Sequence, residues 1–315
     1  MLRTKAIRKI FITTLTLFIL LTVYSIPNTM NKNTLKVNLE VENMTGLSTN
    51  NIYLLNENGY LVKTKILLDS NDIEEKIKKV IRNLTISNNS KFPNNLKALI
   101  PENTKLLNVK IEEKTAYLNF SKDFFNTNEN NLKKIISSIV YSVLDIEKIE
   151  KVNIKINSKD LNNYSKVDGK YPEFLDKTIG INKEYNIMSR NNISKVVIYY
   201  ISRVDNNNYY VPVTKYVNDD RDKIKIIVEE LSTSYIYENN LMSFLNSNIK
   251  LLDYKEQENV MFLNFNDYLF DNNDKVLEEV LYTISYSVFD NYDVNQVMFQ
   301  VNGKNIETIG LSELP

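Results

Sequence analysis

The sequence predicts an α+β fold: an α/β two-layer sandwich built twice, as two tandem copies of a ββαββαβ module behind an N-terminal transmembrane helix. Three observations predict it. First, residues 105–160 and 250–305 align without a gap at a constant offset of 145. Lys105-Leu106-Leu107, Leu118-Asn119-Phe120 and Tyr141-Ser142-Val143-x-Asp145 recur as Lys250-Leu251-Leu252, Leu263-Asn264-Phe265 and Tyr286-Ser287-Val288-x-Asp290. A period that long is the size of a domain, not of a solenoid unit, and 315 residues leave room for about two domains. Second, each copy alternates period-two strand patterns with helical stripes, and two helices with one apolar stripe each can cover one face of a sheet. Third, residues 10–26 carry no charge and follow Arg3, Lys5, Arg8 and Lys9.

Taken in order, residues 1–9 form a basic cytoplasmic N-terminus and 10–26 an anchor or signal sequence. A spanning helix needs about 20 mainly apolar residues, with a lower limit near 17, and the positive cluster ahead of it places the bulk of the chain outside the cytoplasm. A cleavable signal is the rival, with Val23-Tyr24-Ser25 as a weak cleavage site. Residues 27–50 read as a polar linker. The first module, 51–160, opens with strands at 52–56 and 60–68 around Asn58-Gly59, a strong hairpin signal. Asp72 and Glu75 have the spacing of a capping box, and Ile73, Ile77, Val80, Ile81 and Leu84 make one helical stripe. A second hairpin spans 106–120. A longer helix from about 130 to 144 carries Leu132, Ile135, Ile136, Ile139 and Val143, and Val152, Ile154 and Ile156 alternate as a last strand. The second module, 196–307, repeats that order and closes on Val297, Phe299 and Val301. Between them lies a semi-ordered connector, 161–195, with Tyr171-Pro172-Glu173-Phe174 as a docking turn. Residues 308–315 read as a tail.

Composition excludes much chemistry. There are 39 basic and 39 acidic residues, so net charge gives no footprint for nucleic acid. The chain has no Cys and no His, which removes thiol nucleophiles, disulfides, zinc fingers and imidazole relays. With six Gly there is no Gly-rich phosphate cradle, and neither a P-loop nor a nucleophile elbow is present. Pairs such as Glu112-Glu113, Glu229-Glu230 and Glu278-Glu279 read as solvated surface charge. No catalytic, metal or cofactor site is expected.

The opening run Ile52-Tyr53-Leu54-Leu55-Asn56-Glu57-Asn58-Gly59 resembles the first strand and turn of the GerMN domain family. Pro101-Glu102-Asn103-Thr104-Lys105-Leu106 is similar to the family's P-x-x-T-x-L lead-in to the middle hairpin, and Ala116-Tyr117-Leu118-Asn119-Phe120-Ser121 to its most distinctive strand. In the second module Asn246-Ser247-Asn248 replaces the Pro and Thr, while Leu263 and Phe265 keep the strand. Pro101, Thr104, Leu118, Phe120, Leu263 and Phe265 are the structural residues of the motif. Tandem GerMN domains behind a membrane segment form the layout of sporulation and spore germination proteins. The resemblance implies an extracytoplasmic module that associates with other proteins, is linked to the channel between mother cell and forespore, and is similar in fold to the ring-building domains of secretion systems. Family members can be lipoproteins. Without Cys, either a protein anchor takes the place of the lipid or the protein is released.

If Ala116, Leu118 and Phe120 face the helices, Tyr117 and Asn119 point to the other sheet face, as do Phe262 and Asn264. Those four residues form either a partner surface or an ordinary solvated face. Tyr141 and Tyr286 fall off their helical stripes, as interface anchors or as packing for a following loop. Asp145 and Asp290 sit where the helix dipole disfavours acid, and a local hydrogen bond to the next turn would explain both. Together with that resemblance, the sequence reads as a non-enzymatic, membrane-anchored assembly protein of the spore envelope, which the family likeness implies would stabilise the mother cell–forespore channel or scaffold cortex and germination functions. Its N-terminus is cytoplasmic, its bulk lies between the two membranes, and its partners are other envelope or channel proteins. A peptidoglycan-binding module is the second reading. A murein hydrolase using carboxylates alone is a remote third.

Overall fold

The computed structural model describes residues 48–87, 92–93, 95–167, 170–204, 207–233, 240–271 and 274–315. The expected anchor at 10–26 and nearly all of the 27–50 linker lie outside them. Among the described residues no helix is long and apolar enough to cross a membrane.

The first module opens with β1 (Ser48–Asn56) and β2 (Leu61–Leu68), antiparallel around Asn58-Gly59. Gly59 takes φ +82, the left-handed conformation this turn needs and glycine adopts without strain. Helix α1 (Ile73–Leu84) starts where Asp72 accepts a hydrogen bond from the Glu74 N–H, and it buries Ile77, Val80, Ile81 and Leu84. The short β3 (Leu96–Lys97) returns to pair with the end of β1. Then follow β4 (Leu106–Glu112), β5 (Thr115–Phe120), α2 (Glu129–Leu144), β6 (Lys151–Ile156) and β7 (Lys159–Asp160). The four strands lie in the order β4-β5-β6-β7, with β5 and β6 parallel across the α2 crossover. The second module holds β8 (Glu184–Asn186), β9 (Ile193–Val204), β10 (Asn207–Asn218), α3 (Lys223–Ser232), β11 (Leu251–Gln257), β12 (Val260–Phe265), α4 (Glu278–Phe289), β13 (Gln296–Val301) and β14 (Lys304–Gly310).

The class is α+β, but each module carries two separate sheets where one was expected: a hairpin sheet and a four-stranded sheet. The reason is a helix standing where a strand would go. Asn51 and Tyr53, alternate residues of β1, turn their N–H groups away from β2. Asn51 N–H donates to Asp145 Oδ2 at 2.7 Å and Tyr53 N–H to Ser142 Oγ at 3.0 Å, while Ser138 Oγ donates to the Tyr53 carbonyl at 2.6 Å. Helix α2 thus satisfies the edge of β1 through its side chains, which is how serines come to be buried on it. The second module repeats the device. Tyr199 N–H donates to Ser287 Oγ at 2.9 Å, Val197 N–H to Asn291 Oδ1 at 3.2 Å, and Asn291 Nδ2 to the Val197 carbonyl at 2.6 Å.

Four strands exceed the expectation: β3, β7, β8 and β14. β7 and β14 each follow a tight turn, Asn157-Ser158 or Asn302-Gly303, whose two residues all have positive φ, the pattern of a type I′ hairpin. β14 reaches Gly310, so residues 308–315 are not a tail: Ile309 and Leu314 are buried, and Lys65 Nζ donates to the Leu314 carbonyl at 2.9 Å. The described residues of the connector pack against both modules. Leu175 bridges Val152 by a reciprocal backbone pair at 2.8 Å, and β8 lies parallel against β10.

The motif residues do structural work. Leu118, Phe120, Leu263 and Phe265 are fully buried, Pro101 is buried, and Thr104 N–H closes a turn on the Pro101 carbonyl at 2.9 Å.

Candidate functional site

Asn119 and Asn264 occupy matched positions in β5 and β12, and each fastens the hairpin turn that follows two strands later. Asn119 Oδ1 accepts the Ser158 N–H at 2.9 Å, and Asn264 Oδ1 accepts the Gly303 N–H at 2.8 Å. The amide therefore holds backbone in both copies, which accounts for a residue that strands otherwise avoid. The faces around them differ. In the first module the connector's Phe174 meets Tyr117 edge-on, with ring centroids 6.3 Å apart. In the second, Phe262 and Asn264 line an open hollow of about 250 Å³ with Tyr254 and Gln300.

Tyr141 and Tyr286 are not surface anchors. They are 1% and 3% exposed and face the neighbouring module, because their helix flank is the one laid against the hairpin sheets. Tyr141 packs edge-on against Tyr53 at 5.5 Å, and its hydroxyl donates to the Lys177 carbonyl at 3.0 Å. Tyr286 stacks on Tyr199 at 4.9 Å, lies 5.2 Å from Tyr210, and donates its hydroxyl to the Pro315 carbonyl. Lys63 of β2 reaches across from the first module to sit 4.1 Å from the Tyr286 ring centre. Burial lowers its ammonium to about 8, although Asp145 and Asp290 oppose the shift.

The Asp145 and Asp290 carboxylates bind distant groups rather than the next turn. Asp145 binds Asn51, 94 residues away. Asp290 accepts from Lys177 Nζ at 2.6 Å and the Tyr199 hydroxyl at 2.7 Å. Burial pushes the Asp290 carboxyl up, yet Lys177, Tyr199 and Lys63 together outweigh it and hold the group below its usual range. Burial and the Asp290 charge raise the tyrosine hydroxyls at 53 and 199 well above the ordinary value.

The junction is closed by polar side chains. Asn182 of the connector has φ +45. It accepts the Leu61 N–H at 2.9 Å and donates to the carbonyls of Leu61 and Pro212, each at 2.8 Å. One amide thus joins β2 to β10. Ile181 beside it pairs with Thr214, and Gly180 must be glycine: its φ is +74, and an added Cβ would lie 3.2 Å from the Thr214 side chain. Deeper in, Asn56 Nδ2 donates to Ser202 Oγ at 3.0 Å, both residues being almost wholly buried.

Two further features were not singled out from sequence. Leu107 and Leu252 stand at β-bulges of the outer strands β4 and β11, each 51% exposed. A cleft of about 640 Å³ opens beside the junction, with Lys133 and Lys134 of α2, Lys170 and Lys183 of the connector, and Tyr171, Pro172 and Tyr185 among its lining. The clue to both lay in the repeat: the leucines are identical at the 145-residue offset, whereas Lys133-Lys134 aligns with Glu278-Glu279. Among the described residues no group of three or more acidic side chains is placed to hold a metal ion.

A family model described as Germane, sporulation and spore germination, matches residues 51–162 and 197–307. The spore germination protein GerM of Bacillus subtilis (strain 168) is 27% identical over 264 residues, covering 81% of this chain and 71% of that protein. The solved structure of the tandem GerMN domains of the sporulation protein GerM from Bacillus subtilis superposes with a TM-score of 0.75 at 26% identity, over 86% of this chain and 94% of that one.

Proposed function

The chain belongs to the Germane family, sporulation and spore germination, and from that premise we propose that it is a non-enzymatic assembly protein of the spore-forming cell's envelope. In this reading residues 10–26 anchor it in a membrane and the two modules stand outside the cytoplasm, between the mother-cell and forespore membranes. There they stabilise the channel complex by surface complementarity. The supporting observation is the pair of half-exposed leucines, Leu107 and Leu252, at matched bulges on the outer strands of both modules. A bulge re-aims a side chain, and here it aims an apolar one into solvent twice, at an edge that a partner can cover. The test is co-isolation of the tagged full-length chain from sporulating cells. Wild type is expected to bring down envelope proteins, and Leu107→Asp/Leu252→Asp to lose them with its thermal unfolding unchanged. Recovery of the same proteins by both forms, or of none by wild type, overturns the reading.

A peptidoglycan-binding role is the second reading, favoured by the lysine-lined cleft. Pull-down of the full chain by purified sacculi tests it, and absence from the pellet rejects it.

A further inference from the structure

We propose that the groove between α1 and β4 of the first module takes up an extended peptide segment of another protein, which adds a strand to the outer edge of β4 and lays an aromatic side chain over Val109. The second module fills the matching place with its own residues. That the segment comes from an envelope protein rests on the assembly reading above. That the groove takes such a segment does not.

β4 is the end strand of its sheet, and among the described residues no strand pairs with its outer edge. Such an edge offers backbone N–H and C=O groups to a further strand, and strand addition to an exposed sheet edge is a general mode of peptide capture. Here α1 runs alongside, and an open groove of about 540 Å³ lies between the two. Ile81 and Thr85 of α1 and Leu106, Leu107 and Val109 of β4 are among its lining. Leu107 is the half-exposed leucine at the bulge. Thr104 Oγ1, just ahead of β4, is buried on the same lining and has no hydrogen-bond partner. A buried hydroxyl is normally bonded, and a peptide laid along β4 supplies what it lacks. At the same offset the second module has Ile249, a buried apolar side chain with no such need.

The second copy shows what such a groove holds. Asp72 and Asp222 cap α1 and α3 in the same way, each accepting the N–H two residues on, so the two helices begin alike. Val109 of β4 and Tyr254 of β11 are aligned at the 145-residue offset. Tyr254 reaches from its strand to the start of α3. Lys225 Nζ lies 5.7 Å from its ring centre. Partial burial, then the Asp222 charge and hydrogen bond, raise its hydroxyl above the ordinary value. Tyr292 joins it there, accepting the Ile224 N–H at 2.8 Å and donating to Asp222. In the first module the aligned residues are Val109 and Glu147. Val109 is too short to reach the Asp72 cap, and Glu147 is exposed. Two rings that lie against the start of α3 are thus missing beside α1, where the groove is open.

Charge on the rim defines the rest of the segment. Arg82, in the last turn of α1, is exposed and makes no ion pair among the described residues. Lys78, one turn back, is already paired with Glu75 at 2.7 Å. Glu74 stands on the same rim in the first turn. Along the helix Glu74 and Arg82 lie about 12 Å apart at about 1.5 Å per residue, the span of about four residues of extended chain. A peptide with a carboxylate toward Arg82 and an ammonium toward Glu74 is complementary at both ends, and that fixes its direction. The guanidinium fork favours a carboxylate in particular. An aromatic residue between the two charges covers Val109 as Tyr254 covers the start of α3, with large contact area and few rotatable bonds to order.

The experiment is selection of a displayed library of random dodecapeptides on the detergent-solubilised full chain, followed by anisotropy titration of the enriched peptides as fluorescent synthetic probes. They are expected to share an aromatic residue with an acidic residue on one side and a basic one on the other. Methylating alternate backbone amides of a probe should weaken it about tenfold or more in one phase and little in the other, because only every second N–H faces the strand it joins. Val109→Tyr, which gives β4 the ring that β11 carries, should weaken binding about tenfold or more, with near-ultraviolet circular dichroism unchanged. Arg82→Glu, an exposed position, should weaken it too, and a probe whose acidic residue is replaced by lysine should recover it. That pair covers the case in which Val109→Tyr misfolds. Absence of enrichment, affinity indifferent to these variants, or affinity that survives methylation in both phases overturns the proposal. So does self-association of the wild type that Arg82→Glu abolishes, since it gives the groove to a second copy. Envelope proteins lost by Leu107→Asp/Leu252→Asp but kept by Val109→Tyr and Arg82→Glu would reject the groove and leave the assembly reading standing. Peptide capture by the groove, with no envelope protein brought down by the wild type, does the reverse.

Discussion

At the residue scale, the most informative groups are polar side chains that finish the backbone of a distant strand. Ser142 and Ser287 receive the N–H groups of Tyr53 and Tyr199. Ser142→Ala or Ser287→Ala leaves a buried donor unpaired and is expected to cost about 1–3 kcal/mol, read from urea unfolding. Ser→Thr, which keeps the hydroxyl, should lose less. Titration gives a second test, and its sign follows from the groups around Lys63, namely Asp145, Asp290, Lys177 and Lys65. The folded state lowers the Lys63 ammonium from 10.5 to about 8, so the unfolded chain binds the extra proton across that interval and stability rises with pH above about 8. The tyrosines at 53, 141, 199 and 286 are shifted the other way, upward from 10.0. Their contribution is complete below pH 10 and is lost as pH climbs past it. Chemical denaturation should show a rise from about pH 8 to about pH 10, then a fall. Lys63→Met should flatten the rise and keep the fall. None of these roles could be read from sequence: the partners of Ser142 and Asp145 lie 89 and 94 residues away, and a short-range pattern carries no trace of them. The matched Asn119 and Asn264 were visible as unusual strand residues, but the turn each one fastens lies 39 residues on.

At the element scale, local patterns served well wherever an element's cause is local. The Asn58-Gly59 turn, the Asp72 cap and most of the α1 stripe are present, because capping, periodicity and glycine conformation act over a few residues. The capping box is not, since Asp72 accepts the Glu74 N–H and Glu75 pairs with Lys78 at 2.7 Å. The strand β14 was missed although Asn302-Gly303 is a signal of the same kind as Asn58-Gly59. The two sheets per module were not legible, since nothing in the α2 sequence says that its polar flank replaces a strand. Glycines separate local strain from crowding. Gly303 has φ +80 and open space around it, whereas Gly180 has φ +74 and the Thr214 side chain 3.2–3.3 Å from an added Cβ. Gly303→Ala should therefore cost about 1 kcal/mol, the backbone penalty alone. Gly180→Ala should cost visibly more in the same melt. Equal losses would mean that the Thr214 contact yields freely.

At the scale of the whole molecule, the decisive object is the junction. The connector was expected to be semi-ordered, with the orientation of the modules left open. Instead Asn182 ties β2 to β10, Asn56 reaches Ser202, and Lys63 and Asp290 draw charge from both modules into one buried cluster. Asn182 sits in a stretch whose composition reads only as loop, and its three hydrogen bonds depend on strands far away in the chain. A fused junction should unfold as a unit. Scanning calorimetry is expected to give one cooperative transition for the wild type, and Asn182→Ala combined with Ser202→Ala to broaden or split it. Two transitions in the wild type would show the modules to be energetically independent.

The opposed charges at the aligned helix positions, Lys133-Lys134 and Glu278-Glu279, have a consequence of another kind. The chain's 39 positive and 39 negative residues cancel in sum, but a body with a lysine pair at one helix end and a glutamate pair at the matching end of another has its charge separated locally. Such a molecule feels a torque in an electric field even though its net charge is zero. Near neutral pH and in dilute buffer it should adhere to both cation- and anion-exchange resins, each engaging a different side. Between two charged membranes it would meet each surface with a preferred side.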